Sequence, residues 1–343
     1  MAVTIIDVAK EANVSPSTVS RVIADSPRIS VQTKRRVREV MERLKYYPNF
    51  QARNLAAKRT NTIGVIMSHS TSLAFQNPFF PEVIRGICSS AHSNQYGIYL
   101  STGGTEEEIY KEVVSMVQGK KVDGIILLYS RVNDRTMAYL KEVKFPFTMV
   151  GRPYENEKEI SYIDNDNKII SKNMVNYLEK LGHQHIAFVG GDIDFVVSLD
   201  RLEGYKQGLK EKNLYFIDEY FIRDEDFKTK GIKSIQELMK LDMPPTAIIA
   251  HDDLVAYEII RYLEDLSINV PEDISIVSFN NHALSEYVKP PLTTVDISIF
   301  ELGFEAAIYL YEQVGSDQIT IKHHFVPTTL IERNSCKSIK FEK

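Results

Sequence analysis

The first 45 residues place apolar side chains at the spacing of short helices. Apolar residues recur three or four positions apart within 5–12, 19–23 and 37–44, which forms one hydrophobic face on each helix. These residues are Ile5, Val8, Ala9 and Ala12, then Val19, Val22 and Ile23, and finally Val37, Val40, Met41 and Leu44. The pattern predicts three amphipathic helices close together in the chain.

Polar residues predict where the first two helices begin and end. Thr4 and Asp7 match the capping box, in which a hydroxyl and a carboxylate each satisfy a backbone amide at a helix start. Asn13 tolerates the left-handed backbone of a tight turn, and Ser15 followed by Pro16 is typical of a helix N-terminus. The sequence therefore predicts two short helices joined by a tight turn.

The exposed face of the second helix is small and cationic. Ser17, Ser20 and Arg21 point away from the apolar face, a combination that fits the major groove of DNA. An ordinary helical hairpin would show the same spacing, so spacing alone leaves both interpretations open.

Charge is divided unevenly along the chain and favours DNA binding. Residues 1–60 contain twelve Lys and Arg but five Asp and Glu, a net charge of +7, whereas all 343 residues carry −5. Residues 61–343 therefore carry −12. A basic segment of this kind is typical of DNA-binding proteins, because phosphate contacts supply much of their affinity. The third helix adds a basic face, for which we favour phosphate contact over a merely solvated surface. Its cations are Lys34, Arg35, Arg38 and Arg43.

Beyond residue 62, short apolar runs alternate with amphipathic stretches. The runs are rich in β-branched residues and predict buried parallel strands, and the stretches 80–95, 106–118 and 253–265 predict helices. The runs are 63–67, 97–101, 124–128, 147–150, 185–189, 247–250 and 274–278. This alternation predicts doubly wound α/β sheets, which bind ligands at the carboxyl ends of their strands.

Polar and aromatic residues follow five of these runs directly. They are Phe75 to Phe80, Gly151 and Arg152, Gly190 to Asp192, His251 to Asp253, and Asn280 to His282. Aromatic rings can stack on a sugar ring, and planar polar side chains can bind its hydroxyl groups. The strand ends therefore predict a sugar site.

Short motifs are spread over nearly the whole chain. They include Asp7-Val-Ala, Val14-Ser-x-x-Thr-Val-Ser-Arg-Val, Tyr47-Pro-Asn, Ala52-Arg-x-Leu, Thr62-Ile-Gly-Val, Asn77-Pro-Phe-Phe, Arg201-x-x-Gly, Pro271-Glu-Asp-Ile-Ser-Ile-Val and Pro291-Leu-Thr-Thr-Val. Together they resemble the lactose/galactose repressor family. The run Phe279-Asn280-Asn281 is similar to the maltose-operon repressors within it.

The resemblance implies a fold class and domain boundaries. We expect an all-α helix-turn-helix DNA-binding head over 1–47, a hinge helix and linker over 48–60, and a body over 61–343. The body would be a two-lobed α/β structure of the periplasmic-binding-protein type, with doubly wound parallel sheets. Its N-lobe would span about 61–162 and 292–323, and its C-lobe about 163–289 and 324–343.

The resemblance also implies which residues contact operator DNA. Pro16, Ser17 and Arg21 occupy base-reading places, and Leu55 is the wedge that the hinge inserts into the minor groove beside Ala52. The full set is Thr4, Ser15, Pro16, Ser17, Thr18, Arg21, Ser30, Thr33, Asn49, Ala52 and Leu55. Asn13 stands where the family usually has Gly, and it tolerates the same backbone.

Operator binding should depend more on the hinge wedge than on the small recognition residues. Pro16 and Ser17 cannot make the bidentate base contacts that Gln or Arg make. We expect Leu55→Ala to weaken operator binding more than Ser17→Ala, because wedge insertion sustains the bent DNA. Fluorescence anisotropy on one operator fragment compares the two variants, and equal affinities would contradict the expectation.

By resemblance, six residues contact the effector, and the strand-end argument adds Arg152. The set is Phe79, Phe80, Arg152, Arg201, His251, Asp252 and Asn280. Plain structural roles stay open, since Asp252 could cap a helix, Arg201 could pair with an acid, and the phenylalanines could belong to the core. Most relatives have at least one Asp where this chain has Asn280-Asn281. The identity of the sugar therefore stays open, and maltose is the first candidate to test.

Other chemistry has little support in the sequence. The pairs His183/His185 and His323/His324 lack the Cys or acidic partners of a zinc site. Gly190-Gly191 lacks the three-glycine pattern of dinucleotide binding. We expect no metal, no cofactor and no enzymatic activity.

The N-terminus lacks a signal-peptide core, and no apolar run reaches membrane-spanning length. We therefore expect a cytoplasmic protein with reduced cysteines and no membrane partner. It would be a homodimer that represses a carbohydrate operon under control of a small sugar, since no heptad repeat for tetramerisation follows Leu330. The alternative is a sugar-binding receptor module without DNA function, which the basic head argues against.

Overall fold

The computed structural model describes residues 3–23, 25–47, 59–68, 74–316 and 320–339. Their backbone contacts divide the chain into two compact units, Met1–Thr60 and Asn61–Lys343. Three predicted DNA contacts of the hinge, Asn49, Ala52 and Leu55, lie outside the described residues.

The first unit contains the three predicted helices. They are α1 (Ile5–Glu11), α2 (Pro16–Ile23) and α3 (Val31–Arg43). Their shared core consists of the predicted apolar faces, with Val8, Ala9, Ala12, Val19, Val22, Val37 and Val40 buried. A separate hydrophobic core in so few residues indicates a small unit that is stabilised by its own packing.

The predicted ends of these helices are confirmed. The Thr4 hydroxyl accepts from the Asp7 amide while the Asp7 carboxylate accepts from the Thr4 amide, which completes a capping box. Asn13 has φ +50°, the left-handed conformation that the turn requires. Helix α2 starts at Pro16, and the Ser15 hydroxyl accepts from the Thr18 amide at 3.2 Å.

The second unit contains alternating strands and helices. The strands are β1 (Thr62–Ile66), β2 (Gly97–Leu100), β3 (Gly124–Leu127), β4 (Phe147–Val150), β5 (Tyr162–Asp164), β6 (Ile186–Val189), β7 (Phe221–Ile222), β8 (Ala247–Ala250), β9 (Ser275–Phe279), β10 (Thr293–Asp296), β11 (His323–Phe325) and β12 (Thr329–Ile331). The helices are α4 (Phe79–Asn94), α5 (Glu106–Gln118), α6 (Arg135–Glu142), α7 (Asn167–Lys180), α8 (Val196–Glu211), α9 (Asp224–Lys230), α10 (Ile232–Met239), α11 (Asp253–Asp265) and α12 (Ile299–Val314).

These strands form two sheets, one in each lobe. The first sheet has the order β11-β5-β4-β3-β1-β2 and the second has the order β12-β10-β9-β8-β6-β7. All neighbouring strands are parallel except β12, which runs antiparallel to β10. The chain passes between the sheets after β5, β10 and β11. This is the predicted two-lobed α/β body.

The predicted lobe boundaries need correction at each of the three places where the chain passes from one lobe to the other. Strand β10 lies within the range predicted for the first lobe, yet it pairs with β9 in the second sheet. The first lobe resumes only with α12, which packs against α4 and β4. Strands β5 and β11 pair with each other and extend the first lobe to Asp164 and Phe325.

All seven predicted strands are present, and one was described wrongly. Strand β2 was expected to be buried, but it is the edge strand of its sheet, and its side chains are only partly covered or exposed. Five strands were not predicted: β5, β7, β10, β11 and β12. Four of them have two or three residues, too few to show a periodic pattern, and β10, with the sequence Thr-Thr-Val-Asp, is not an apolar run.

Candidate functional site

A cavity of about 220 Å³ lies between the two lobes, at the carboxyl ends of strands from both sheets. All seven residues predicted to bind the effector line it: Phe79, Phe80, Arg152, Arg201, His251, Asp252 and Asn280. They lie beyond β4, β8 and β9 and on helices α4 and α8. The cavity therefore occupies the place where doubly wound sheets bind ligands.

Arg201 is a buried guanidinium on the cavity wall. Its Nε donates to Asn167 Oδ1 at 3.0 Å, and its Nη1 donates to the backbone oxygen of His251 at 2.5 Å. The guanidinium lies over the ring of Phe279, 3.9 Å from the ring centre. Burial lowers the pKa of Arg201 to about 10, so the group stays charged at neutral pH.

Arg201 makes no ion pair shorter than 4 Å with any described carboxylate, including those of Asp164 and Asp252 in the same wall. The structural role that the sequence left open for Arg201, a pair with an acid, is therefore not present among the described residues. Glu203, two positions further along the helix, accepts a hydrogen bond from Gln207. A buried guanidinium with unused donors is suited to bind the oxygens of a ligand.

His251 presents a neutral imidazole to the cavity. Burial, the nearby positive charge of Arg201 and that of Lys228 hold the pKa of His251 well below its usual value. Its buried Nδ1 has no hydrogen-bond partner among the described residues. Gly191 allows this position, because a Cβ there would lie 2.4 Å from the imidazole Nε2. The neutral imidazole therefore lines the cavity with one buried ring nitrogen unpartnered.

Asp252 has two roles at once. Its Oδ1 caps α11 by accepting from the Val255 amide at 2.9 Å, and the residue also lines the cavity. Burial raises the pKa of Asp252 above its usual value. The capping role that the sequence left open is therefore present beside the position expected for effector binding.

The neighbouring Asp253 links four segments of the second lobe. Its carboxylate accepts from the hydroxyls of Thr294 at 2.6 Å and Ser285 at 2.8 Å, from the hydroxyl of Ser278, and from the His282 amide at 2.6 Å. The residue is fully buried and does not line the cavity. It holds the loop after β9, which carries Asn280, against β10.

Removal of the Asp253 carboxylate should destabilise the protein. We expect Asp253→Ala to lower the free energy of unfolding by about 3 kcal/mol, because four buried donors lose their shared acceptor. Urea unfolding followed by circular dichroism measures the change. Asp265→Ala, at the exposed far end of the same helix, is the control and should change stability by less than about 0.5 kcal/mol. Equal effects of the two substitutions would contradict this role.

The two adjacent asparagines after β9 have different surroundings. Asn280 is buried, lines the cavity and has φ +103°. Asn281 instead donates to Asp296 at 3.0 Å and accepts from Arg333 at 2.8 Å, away from the cavity. Only Asn280 is therefore placed to contact a ligand.

Arg152 joins the two lobes beside the cavity. Its Nε and Nη2 donate to both carboxylate oxygens of Asp200, at 2.6 and 2.5 Å. Its backbone amide donates to Asp164, whose pKa burial raises to about 7. The charged residues that line the cavity are Arg152, Arg201, Asp164 and Asp252. Two basic and two acidic residues favour a polar ligand without a large net charge.

Aromatic side chains also line the cavity. Phe79 and Phe80, at the start of α4, meet edge to face with ring centres 5.4 Å apart. Tyr129 and Phe195 also line the cavity. A cavity lined by both aromatic rings and planar polar groups is suited to a sugar ring, which has apolar faces and a hydroxyl rim.

Several wall residues were missed by the sequence argument. Tyr129 and Ser130 follow β3, so the strand-end rule could have found them. Asp164 is the last residue of β5, whose three residues gave no strand signal, and Asn165 and Asn167 come shortly after it. Phe195 and Val197 lie near the start of α8 and have no signal in the sequence.

In the head, the predicted base-reading residues are accessible. Pro16, Ser17 and Arg21 are exposed on α2, and the described residues give Arg21 no ion pair or hydrogen bond. The hydroxyl of Ser15 lies 2.8 Å from that of Ser17 and 2.9 Å from that of Thr18. These groups form a polar rim at the start of the helix, available to a DNA phosphate.

The third helix differs from the expected row of free cations. Lys34 and Arg38 both pair with Asp25, while Arg35 pairs with Glu39 and Arg43 with Glu11. Ser30 caps this helix and its hydroxyl lies 2.9 Å from that of Thr33. The pairs of Arg35, Arg38 and Arg43 are exposed, and such pairs contribute about 1 kcal/mol or less, so phosphate could replace their acids.

Three of the four histidines considered as metal ligands have other partners. His185 lies within hydrogen-bond distance of the Tyr220 hydroxyl. His183 bonds to Thr246 and to the backbone of Lys337, and His323 bonds to the backbone of Ile160. In the described ranges, no three His, Cys, Asp or Glu side chains are grouped to hold a metal ion. No helix in the described part of the chain is long and apolar enough to cross a membrane.

Comparison with known proteins agrees with both units. Residues 4–49 match the family described as "Bacterial regulatory proteins, lacI family", and residues 175–336 match the "Periplasmic binding protein-like domain". The regulator MalR of Staphylococcus xylosus is 36% identical over 98% of this chain and 99% of its own length. The chain belongs to the lacI family. It is a DNA-binding, sugar-responsive transcription repressor.

Two solved lacI-family structures resemble this chain closely. One, described as a transcriptional regulator of Bacillus cereus, is 48% identical with a TM-score of 0.79, and covers 81% of this chain and 99% of its own. Another, described as "probable maltose operon transcriptional repressor malR" of Staphylococcus aureus, is 27% identical with a TM-score of 0.71, and covers 81% of this chain and 98% of its own. The two-lobed fold expected from the sequence is thus confirmed.

Proposed function

We propose that this repressor controls a maltose-utilisation operon and that maltose, or a closely related saccharide, occupies the cavity between its lobes. The observation that carries the proposal is the buried Arg201 guanidinium, which lines the cavity without a carboxylate within 4 Å. Neutral His251 and the amide of Asn280 add uncharged hydrogen-bonding groups. Together these donors and acceptors can bind several hydroxyl groups of a saccharide.

The choice of maltose is supported by relatives. The Staphylococcus aureus structure is described as a maltose operon repressor, and MalR regulators are 36% to 39% identical to this chain. The aromatic wall of the cavity is consistent with a saccharide.

We also infer that a homodimer reads the operator through two heads. The exposed Arg21 would contact base edges, and Pro16 and Ser17 would lie against the major groove. The other predicted DNA-contact residues of the head would bind phosphates. They are Thr4, Ser15, Thr18, Ser30 and Thr33. In the hinge, Ala52 and Leu55 keep the minor-groove role that the resemblance implies, and Asn49 would cap the hinge helix. Two heads in successive major grooves would require a near-palindromic site.

A ligand screen tests the proposed effector. Full-length protein is heated with maltose, cellobiose, glucose or glucose 6-phosphate, and thermal unfolding is followed. A ligand at 100 times its dissociation constant stabilises a protein by about 2.7 kcal/mol. We expect maltose to raise the melting temperature more than the others. A response to glucose 6-phosphate alone, or no response to maltose, would overturn the assignment.

We further propose that the protein acts in the cytoplasm, where operator DNA is found, and that it releases its sugar unchanged. Its relatives are transcription regulators. Incubation with maltose followed by chromatography should return maltose alone. Release of glucose would point to an enzyme instead.

A further inference from the structure

The ion pair between Arg152 and Asp200 crosses from one lobe to the other. Arg152 follows β4 of the first lobe, and Asp200 lies on α8 of the second. Two parallel hydrogen bonds join the planar guanidinium to both carboxylate oxygens. This bidentate geometry is the strong and directional form of the arginine–carboxylate pair.

Only one partner of this pair touches the cavity. Arg152 lines the cavity wall, whereas Asp200 is buried behind it and is not part of the lining. Arg152 is further fixed by its backbone amide on Asp164 and by an Nη1 bond to the Pro153 oxygen at 3.2 Å. Asp200 therefore acts on the cavity through the position of the Arg152 guanidinium.

The same end of α8 also bonds to the first lobe through its backbone. The amide of Val132 donates to the oxygen of Asp194 at 2.9 Å, and the amide of Val196 donates to the oxygen of Ser130 at 3.0 Å. The Arg131 guanidinium lies over the Phe195 ring at 4.6 Å. Asp200 lies about one turn beyond Val196, the first residue of the helix. The ion pair and the two backbone hydrogen bonds therefore hold the same end of α8 against the first lobe.

Asp200 has a second basic neighbour within its own lobe. Lys168 Nζ lies 3.7 Å from Asp200 Oδ1, and Lys168 belongs to α7, which packs along α8. If Arg152 turns toward a ligand, Lys168 still compensates part of the Asp200 charge. A buried carboxylate with a remaining partner can release Arg152 at a smaller cost than an isolated one.

We propose that Asp200 is a positioning residue that couples sugar occupancy of the cavity to the relative orientation of the lobes, by holding or releasing Arg152. The proposal rests on the function proposed above. A ligand can shift a conformational equilibrium only if it contacts the two states differently. Arg152 provides that difference, because a sugar hydroxyl and Asp200 bind the same guanidinium.

The test uses full-length protein, maltose as the probe and three variants. Asp200→Asn keeps the size of the side chain and removes its charge. Arg152→Lys keeps the charge but cannot form the two parallel bonds. Glu211→Gln is the matched control, since it removes a carboxylate at the other end of α8 that pairs with Lys172 inside the second lobe.

Two readouts separate coupling from simple binding or folding. The first is the ratio of operator affinities with and without saturating maltose, which for allosteric proteins is about 5 to 150. The second is amide hydrogen exchange at Val132 and Val196, measured without maltose and without DNA. We expect Asp200→Asn to bring the ratio close to 1 and to raise exchange at both amides, while maltose still binds. Arg152→Lys should raise the same exchange, and Glu211→Gln should behave as wild type.

Three results would overturn the proposal. They are a wild-type ratio in Asp200→Asn, unchanged exchange at Val132 and Val196, or a complete loss of maltose binding, which would make Asp200 part of the binding site itself. A wild-type protein that ignores maltose would instead refute the proposed effector. The exchange measurement needs neither maltose nor DNA, so it decides the role of Asp200 in either case.

Discussion

Deletion of residues 1–60 should abolish specific operator binding and leave maltose binding unchanged. The deleted residues form a separate unit with its own core of Val8, Val19, Val37 and their neighbours, so the body keeps its packing. The deletion also changes the net charge from −5 to −12, which removes the attraction to phosphates. Gel shift on an operator fragment and calorimetry with maltose measure the two activities separately.

This deletion distinguishes a repressor from the alternative, a sugar-binding receptor module without DNA function. A receptor would lose no activity with its first 60 residues, whereas a repressor loses one activity and keeps the other. The calorimetric titration serves as the folding control, because a misfolded body would not bind sugar. Retention of specific, salt-dependent operator binding by residues 61–343 would show that the head is not the DNA reader.

Arg201→Lys should abolish the response to sugar while operator binding without sugar is retained. Lysine keeps the positive charge but lacks the planar guanidinium, which donates to Asn167 and to the His251 carbonyl and lies over the Phe279 ring. We expect maltose affinity to fall about 100-fold, which corresponds to about 3 kcal/mol and to one or two charge-assisted hydrogen bonds. Calorimetry gives the sugar affinity, and anisotropy gives the operator affinity.

Arg333→Lys is a matched control for this substitution. Arg333 donates to the Leu292 carbonyl at 2.8 Å and to the Asn281 side chain at 2.8 Å, so it resembles Arg201 in its partners. It lies in the same lobe but does not line the cavity. Equal losses of maltose affinity in the two variants would mean that the effect comes from weakened packing of the lobe rather than from a lost ligand contact.

The sequence predicted local structure well where the physical signal is local. The head could be assigned from the Thr4 capping box, from Asn13 at the turn and from three apolar faces, because each involves residues only a few positions apart. The strand-end rule brought His251 and Asn280 to one cavity, since parallel strands of a sheet end at the same edge.

Features that depend on distant pairing could not be predicted in this way. The return of β10 to the second sheet and the pairing of β5 with β11 join segments far apart in the chain, and no local pattern reports them. The ion pair of Arg152 with Asp200 joins residues 48 positions apart on different lobes. Paired acids around the third helix, such as Asp25 beside Lys34 and Arg38, likewise became visible only in the folded head.

One binding measurement tests the central claim, that sugar in the cavity controls operator binding, most directly. A labelled near-palindromic operator fragment is titrated with full-length protein at fixed salt, with and without saturating maltose, and the two dissociation constants are compared. The account predicts specific, salt-dependent binding and a change of about fivefold or more with maltose, the lower end of ordinary allosteric coupling. Equal dissociation constants, for a protein that binds both operator and maltose, would contradict it.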